Sequence, residues 1–210
     1  MSSKQLISFA TLADGHPCFI DTDSPPDWPG LFENNRPIKL EIGFGNGNFL
    51  LEMAIREPEC NFVGMDFYHK GIRKVITRID KLCLKNIRIV YGDAREKLSY
   101  LFKNGELNAI YINFPDPWPK KRHIKRRLIK PAFVKLLADK LIPGKEIRLA
   151  TDSESYAKEM LEYLEAETSL KNNIGEMAFL DNRENTPKTK YEKYFLNAGE
   201  KIYYLDFVKK

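Results

Sequence analysis

A proline-rich turn that carries one aspartate runs directly into a cluster of cations near the middle of the chain. The turn is Pro115-Asp116-Pro117-Trp118-Pro119, and the sequence from Asp116 to Lys130 contains seven Lys or Arg and one Asp. This stretch has a local net charge of +6, whereas the whole chain carries only +5. Such a concentrated patch is typical of a surface that binds phosphate groups. The alternative is a solvated helix face, but no carboxylates follow Asp116 at helical spacing to pair with these cations.

A second candidate site is rich in glycine and begins with a carboxylate. Glu41-Ile42-Gly43-Phe44-Gly45-Asn46-Gly47 lies at the end of the first predicted strand. Because glycine has no Cβ, a ligand can approach the backbone closely at Gly43 and Gly45. Taken alone, the glycines are equally consistent with a tight strand-to-helix turn that binds nothing.

Further carboxylates are predicted at the same end of the sheet. Asp66 follows Gly43 by 23 positions at the end of the second strand, and Asp93 comes directly after the third. An acidic side chain at the first of these positions can accept hydrogen bonds from ribose hydroxyls. Together with Glu41 and Asp116, these groups would repel a pyrophosphate, whereas S-adenosylmethionine carries a sulfonium and an ammonium and no phosphate. Each carboxylate has a helix cap or strand-end role as its alternative, and for Asp93 a helix N-cap competes strongly.

The elements that position these residues follow an alternating pattern. Short apolar runs predict strands at 38–42, 61–65, 87–91, 109–113 and 146–150, and amphipathic segments predict helices at 48–56, 68–84, 94–102, 127–141 and 153–167. This order is typical of repeated βαβ units around a mostly parallel sheet, an α/β fold. Two further strands, at 191–196 and 201–208, predict a C-terminal antiparallel hairpin with its turn at 197–200. Residues 1–37 read as an N-terminal arm with room for one short strand, and 181–190 as a mobile loop.

Composition excludes several classes of protein. With 210 residues, of which 43% are hydrophobic, the chain can bury one substantial core. It contains no apolar run of about eighteen residues and no secretory signal pattern, so we expect a cytoplasmic protein without a membrane partner. Three cysteines form no close pair, and with three histidines they show no metal-ligand spacing. We therefore expect free, partly buried thiols and no metal.

With these motifs in place, the sequence closely resembles the bacterial tRNA (guanine-N7-)-methyltransferase family, from about residue 39 to residue 207. The resemblance rests on the glycine motif, on the specific proline-rich turn that continues into basic residues, and on three short motifs: Gly92-Asp93-Ala94, Thr151-Asp152 and Thr189-Lys190-Tyr191-Glu192. Two departures are conservative. Asp66 stands where many relatives carry Glu, and Tyr191 stands where Phe is frequent.

The resemblance implies a Rossmann-like class I methyltransferase domain over residues 38–210 and a guanosine in the variable loop of tRNA as the methyl acceptor. It implies S-adenosylmethionine as the cofactor and tRNA as the partner, with Asp116 also as the catalytic residue. The implied cofactor residues are Glu41, Gly43, Gly45, Asp66, Asp93 and Asp116. The implied substrate residues are Lys120, Asp152, Thr189, Lys190, Tyr191 and Glu192. The implied RNA contacts are Arg122, His123, Ile124, Lys125, Arg126 and Arg127.

These residue types suit that chemistry. Guanine N7 has an in-plane lone pair and no proton, so positioning and charge stabilisation dominate over base catalysis. Asp116 would stabilise the cationic product, while Asp152 and Glu192 could accept from guanine N1 and N2, and Lys120 could reach O6 or a phosphate. The alternatives are a helix N-cap for Asp152 and an exposed strand residue for Glu192. For Trp118, we favour packing within the turn over base stacking.

Two other functions remain as alternatives. Asn113-Phe114-Pro115 faintly resembles the Asn-Pro-Pro-Tyr turn of exocyclic-amine methyltransferases, although its second residue is Phe. A non-enzymatic RNA-binding module would explain the basic cluster but would leave the acidic crevice unused. The sequence is compatible with a monomer or a homodimer.

Overall fold

Alternating strands and helices form the elements of the structure, as the sequence pattern predicts. The computed structural model describes residues 8–13, 15–184 and 186–210. Contacts between Cα atoms divide the chain into two units, residues 1–101 and 102–210. Among the described residues, no helix combines the length and the apolar character needed to cross a membrane.

The first unit contains a parallel sheet with the strand order β1-β4-β3-β2. Its strands are β1 (Phe19–Ile20), β2 (Ile38–Ile42), β3 (Asn61–Asp66) and β4 (Ile87–Tyr91). Its helices are α1 (Phe9–Ala13), α2 (Trp28–Phe32), α3 (Asn48–Arg56), α4 (His69–Leu82) and α5 (Ala94–Leu101). In the register, Ile42 pairs with Met65 and Asp66 pairs with Tyr91, so the carboxyl ends of β2, β3 and β4 lie side by side.

Part of the segment predicted as an arm belongs to this unit. β1 extends the parallel sheet beside β4. Trp28 is only 1% exposed, and its indole Nε1 donates a hydrogen bond of 2.9 Å to the Leu101 carbonyl. A buried indole with a satisfied N–H fixes this stretch firmly to the end of α5.

The second unit has the strand order β5-β6-β8-β7, in which β5 and β6 are parallel and the other pairs are antiparallel. Its strands are β5 (Leu107–Asn113), β6 (Leu141–Thr151), β7 (Leu170–Asn172) and β8 (Tyr203–Lys209). Its helices are a 3-10 helix (Lys121–Arg126), α6 (Pro131–Lys140), α7 (Glu154–Ala166) and α8 (Lys190–Asn197).

Two predicted elements are corrected by the structure. The C-terminal antiparallel pairing is confirmed, but its strands are β7 and β8, and the strand predicted at 191–196 is helix α8. The helix predicted at 127–141 starts only at Pro131, after a 3-10 turn. Proline has a φ angle suited to the first helical turn and no N–H to lose there, which explains this start. The strands at 38–42 and 87–91 and the helix at 48–56 have their predicted bounds.

Candidate active site and RNA surface

The glycine-rich turn after β2 is held by the carboxylate of Asp66. Its Oδ2 accepts a hydrogen bond of 2.8 Å from the Gly45 amide, and its Oδ1 accepts one of 2.9 Å from the Tyr68 amide. The side chain therefore ties the turn after β2 to the loop after β3. A carboxylate has about four acceptor positions, so two remain for other donors.

Gly43 and Gly45 are required by the backbone and face open space. Their φ angles are 76° and 55°, in the region that side chains disfavour. A Cβ added at either position would meet no atom within 4 Å. Crowding by the protein is therefore not the reason for glycine here, and the open backbone leaves room for a ligand.

Two more predicted carboxylates lie at the same end of the first unit's sheet. Glu41 is the fourth residue of β2 and only 3% exposed. Asp93 follows β4, and its Oδ1 accepts a bond of 2.9 Å from the amide of Arg95 in the first turn of α5. Hydrogen bonds from the Arg95 guanidinium hold the pKa of Asp93 below its usual range, so this carboxyl stays ionised. The helix-capping role weighed for Asp93 is thus present in the structure.

In the second unit, the turn that carries Asp116 is stiff and strained. Pro115 and Pro117 fix their own φ angles on either side of Asp116. Beyond them, Phe114 and Trp118 have φ angles of 53° and 41°, which bulky residues rarely adopt. Backbone strain of this kind persists only where the surrounding structure enforces it. Asp116 is exposed at the tip of this turn.

Arg127 enforces part of this geometry, which corrects its predicted contact with RNA. Its side chain is only 3% exposed, and its Nε donates a bond of 2.8 Å to the Pro117 carbonyl. Its guanidinium also pairs with Glu159 and lies 4.6 Å from the centre of the Tyr156 ring. A side chain occupied in this way cannot reach a phosphate, because breaking a buried ion pair is costly.

Most of the other cations of the cluster are exposed to solvent, whereas Lys130 is half-buried and pairs with Glu159. Arg122, Lys125 and Arg126 are exposed, as is Lys120 at the start of the 3-10 helix. The Arg126 guanidinium lies 5.0 Å from the centre of the Trp118 ring, and His123 meets the same ring edge-on at 5.6 Å. Trp118 is therefore a packing anchor of the turn, as favoured from the sequence.

The segment from Thr189 to Glu192 forms the start of α8 and not a strand. Thr189 Oγ1 accepts a bond of 3.0 Å from the Glu192 amide, and Glu192 Oε2 accepts one of 3.2 Å from the Thr189 amide. This is a capping box, which satisfies two backbone donors of the first helical turn. The spacing Thr-x-x-Glu is its sequence signal, and the strand prediction overlooked it.

Glu192 is buried, which excludes the alternative of an exposed strand residue and also leaves its carboxylate poorly placed to accept from guanine. It is only 5% exposed, and its Oε1 accepts bonds from the Tyr204 hydroxyl at 2.6 Å and from Lys188 Nζ at 3.2 Å. Burial and the bond to Glu192 together raise the pKa of Tyr204. Both carboxylate oxygens therefore already serve the local structure.

Two residues that support this segment were missed from the sequence. Arg183 is 7% exposed, lies 4.9 Å from the centre of the Tyr204 ring and pairs with Asp206 on β8. Nothing local marks Arg183 and Tyr204 as partners, because their contacts are made only by the folded chain.

Asp152 comes one residue before Ser153, the N-cap of α7, so the capping role weighed for Asp152 is excluded.

Known proteins resemble this chain over most of its length. The model of a family described as "Putative methyltransferase" matches residues 35–205. The tRNA (guanine-N(7)-)-methyltransferase of Alkalilimnicola ehrlichii is 40% identical over 186 residues, which cover 89% of this chain and 78% of that protein. The tRNA (guanine-N(7)-)-methyltransferase of Geobacter metallireducens is 34% identical over 92% of this chain and 93% of its own length.

Among solved structures, a SAM-dependent methyltransferase from Aquifex aeolicus aligns with a TM-score of 0.57. The alignment covers 84% of this chain and 85% of that one at 11% identity, and it supports the predicted class I methyltransferase fold. At this identity the likeness concerns the fold alone. The sequence relatives go further: with 34–40% identity over most of both chains, this protein belongs to the tRNA (guanine-N7-)-methyltransferase family.

Proposed function

We propose that this protein transfers a methyl group from S-adenosylmethionine to N7 of a guanosine in the variable loop of tRNA. The observation that carries the proposal is the turn at Asp116, because one short segment combines a stiffened, exposed carboxylate with exposed cations. Family membership gives the reaction class, and the side chains of this turn suit its chemistry.

The first unit supplies groups that fit the cofactor. The open backbone at Gly43 and Gly45 allows close approach, and Glu41, Asp66 and Asp93 provide negative charge and acceptors for ammonium and hydroxyl donors. When bound, S-adenosylmethionine supplies a methyl group on a positively charged sulfur. A phosphate-bearing dinucleotide would be repelled by the same carboxylates.

The second unit supplies groups that suit the acceptor. Guanine N7 needs no base, so the residues must orient the purine and stabilise the positive charge that develops on it. We assign Asp116 to stabilising the positive charge that develops on the purine. Lys120 would bind guanine O6 or a phosphate, and Asp152 would accept hydrogen bonds from guanine N1 and N2. Thr189 to Glu192 shape the substrate site through their backbone and through Lys190 and Tyr191, because the Glu192 carboxylate is engaged internally.

We further propose that the reaction is independent of metal ions. Methyl transfer to a nucleophile without a proton, with a neutral thioether as the leaving group, requires no metal. Residues 38–210 are proposed to carry the reaction, with β1 and α2 of the preceding segment completing the first unit, and the cytoplasm is proposed as the location because tRNA is the substrate. A monomer or a homodimer is compatible with this reaction.

Replacing Asp66 by alanine should weaken S-adenosylmethionine binding by about 1.5–3 kcal/mol, the usual cost of losing hydrogen bonds to a charged acceptor. Since Asp66 also holds Gly45, Asp66→Asn is the informative partner variant. It removes the charge and keeps one acceptor oxygen, which can hold either the Gly45 or the Tyr68 amide but not both. Calorimetric titration measures both affinities, with circular dichroism as the control for folding. Wild-type affinity in a folded Asp66→Ala variant would remove Asp66 from the cofactor site.

The decisive test of the function uses a tRNA with 7-deazaguanosine at the target nucleotide. This base lacks the nucleophilic nitrogen but keeps O6, N1 and N2 for Lys120 and Asp152. We expect it to inhibit competitively and to accept no methyl group, whereas the unmodified tRNA should yield 7-methylguanosine in nucleoside analysis. Incorporation of methyl at the deaza nucleotide would favour the amine-methyltransferase alternative instead.

A further inference from the structure

Helix α8 carries two tyrosines that the structure leaves largely in water. Tyr191 is 64% exposed and Tyr194 is 68% exposed, more than most large apolar side chains of a folded domain. Each keeps a large aromatic surface hydrated, which costs free energy that burial against a partner would recover.

These tyrosines pack against two phenylalanine rings that are themselves packed on the core. The Phe195 ring stacks on Phe114 at 5.8 Å, Tyr191 lies 6.3 Å from Phe114, and Tyr194 meets Phe195 edge-on at 5.5 Å. Phe114 and Phe195 themselves pack on buried core residues, among them Tyr204. The outer rings are therefore held by inner rings and need little ordering when a partner binds.

The aromatic cluster is continuous with the turn proposed for catalysis. Phe114 directly precedes Pro115 and Asp116, and its backbone has the strained φ angle of 53°. A partner lying on Tyr191 and Tyr194 would therefore lie on the same surface as the substrate residues of the second unit.

The charge around these rings is positive. With about 100° of rotation per residue, Lys190, Tyr191, Lys193 and Tyr194 lie on one side of α8, within an arc of about 160°. Both lysines are exposed, while the only acid of the helix, Glu192, points the other way and is buried. Exposed aromatic rings between lysines match unpaired nucleotides, whose bases stack and whose phosphates pair with cations.

We propose that this side of α8 is an RNA-stacking surface, on which Tyr194 and Tyr191 hold unpaired bases next to the target guanosine and Lys190 and Lys193 contact their phosphates. The inference rests on tRNA being the substrate. A second copy of the chain is the less suitable occupant, because a two-fold contact through this face would bring the lysines of both copies together.

The test measures tRNA binding separately from methyl transfer, by titrating a labelled tRNA transcript at several salt concentrations. Tyr194→Ala should weaken binding about tenfold without changing the salt dependence, because stacking releases no counterions. Tyr194→Phe should bind like the wild type.

Lys193→Gln should reduce the slope of log affinity against log salt by about 0.7–0.9. The triple replacement of Arg122, Lys125 and Arg126 by Gln should reduce this slope by two to three times that amount.

A matched control is Leu196→Ala, which removes another apolar side chain of α8 that is 42% exposed. It should leave tRNA affinity unchanged, because an aliphatic side chain offers no ring for a base to stack on. In Tyr194→Trp, tRNA should quench the fluorescence of the introduced indole. Wild-type affinity of Tyr194→Ala, or a monomer–dimer equilibrium that weakens in this variant, would overturn the proposal. If Tyr194→Ala weakened tRNA binding as expected but the wild-type protein formed no 7-methylguanosine, the stacking surface would stand and the proposed function would be wrong.

Discussion

Replacing Asp116 by asparagine is expected to slow methyl transfer about 100-fold, or about 2.7 kcal/mol, while leaving the fold intact. The change removes a negative charge and keeps the shape of the side chain. In the proposed reaction the purine becomes cationic only as the methyl group arrives, so the carboxylate acts on the transition state more than on the bound ground state. We place the effect at the lower end of the usual range because Asp116 is exposed, and solvent screens its charge.

The turn itself should survive this change. Pro115 and Pro117 keep their fixed φ angles, and the Pro117 carbonyl remains hydrogen-bonded to Arg127. Single-turnover methyl transfer at saturating tRNA and cofactor isolates the chemical step, and thermal denaturation provides the control for stability. An unchanged single-turnover rate would show that Asp116 has no electrostatic role.

The second large effect is expected on stability. Arg127→Ala should lower the free energy of unfolding by about 1.5–3 kcal/mol, because the buried guanidinium bonds to the Pro117 carbonyl and to Glu159 would be lost, while half-buried Lys130 still pairs with Glu159. Arg122→Ala is the matched control, since it removes an exposed arginine five residues away and should change stability by no more than about 0.5 kcal/mol. Urea titration measures both variants. Similar midpoints for the two would mean that the buried pair contributes no net stability.

The acid dependence of unfolding gives an independent measure of the same pair. Burial alone would raise the pKa of Glu159, but hydrogen bonds from Lys130 and Arg127 outweigh burial and lower it. A carboxyl with a depressed pKa in the folded state contributes stability above its unfolded-state pKa, and this contribution is lost as the pH falls through the folded value. Arg127→Ala should therefore lose less stability on acidification than the wild type does.

The sequence predicts the sheet well where the local pattern decides the structure. β2 and β4 are rich in isoleucine and other strand-forming apolar residues and are bounded by Pro37 and Gly43 or by Asn86 and Gly92, so their bounds follow directly. Tyr191, Tyr194 and Phe195 are residue types common in strands, so local propensity favours the strand prediction at 191–196 over helix α8. The capping box at its start and the packing of Phe195 on Phe114 favour the helix instead.

The candidate site was predictable for the residues that stand at strand ends, such as Glu41 and Asp66. It was not predictable for Arg127, whose partner Glu159 lies 32 residues further along the chain. The same holds for Glu192, which is buried and accepts a hydrogen bond from the hydroxyl of Tyr204 on β8. A run of cations in the sequence does not show which of them will be buried in the folded protein, since burial depends on contacts between residues that are distant in sequence.

The pairing of β1 with β4 has a consequence for where the chain can be shortened. Ile89 donates its amide proton to the Cys18 carbonyl at 2.7 Å, so β1 covers part of one side of β4. Deleting the first 37 residues would leave that side of β4 with unpaired N–H and C=O groups, and Trp28 would no longer cover the end of α5. An uncovered apolar strand is a template for pairing with other chains. We therefore expect a shortened form starting at residue 38 to aggregate more readily than the full chain, because it lacks β1 and Trp28.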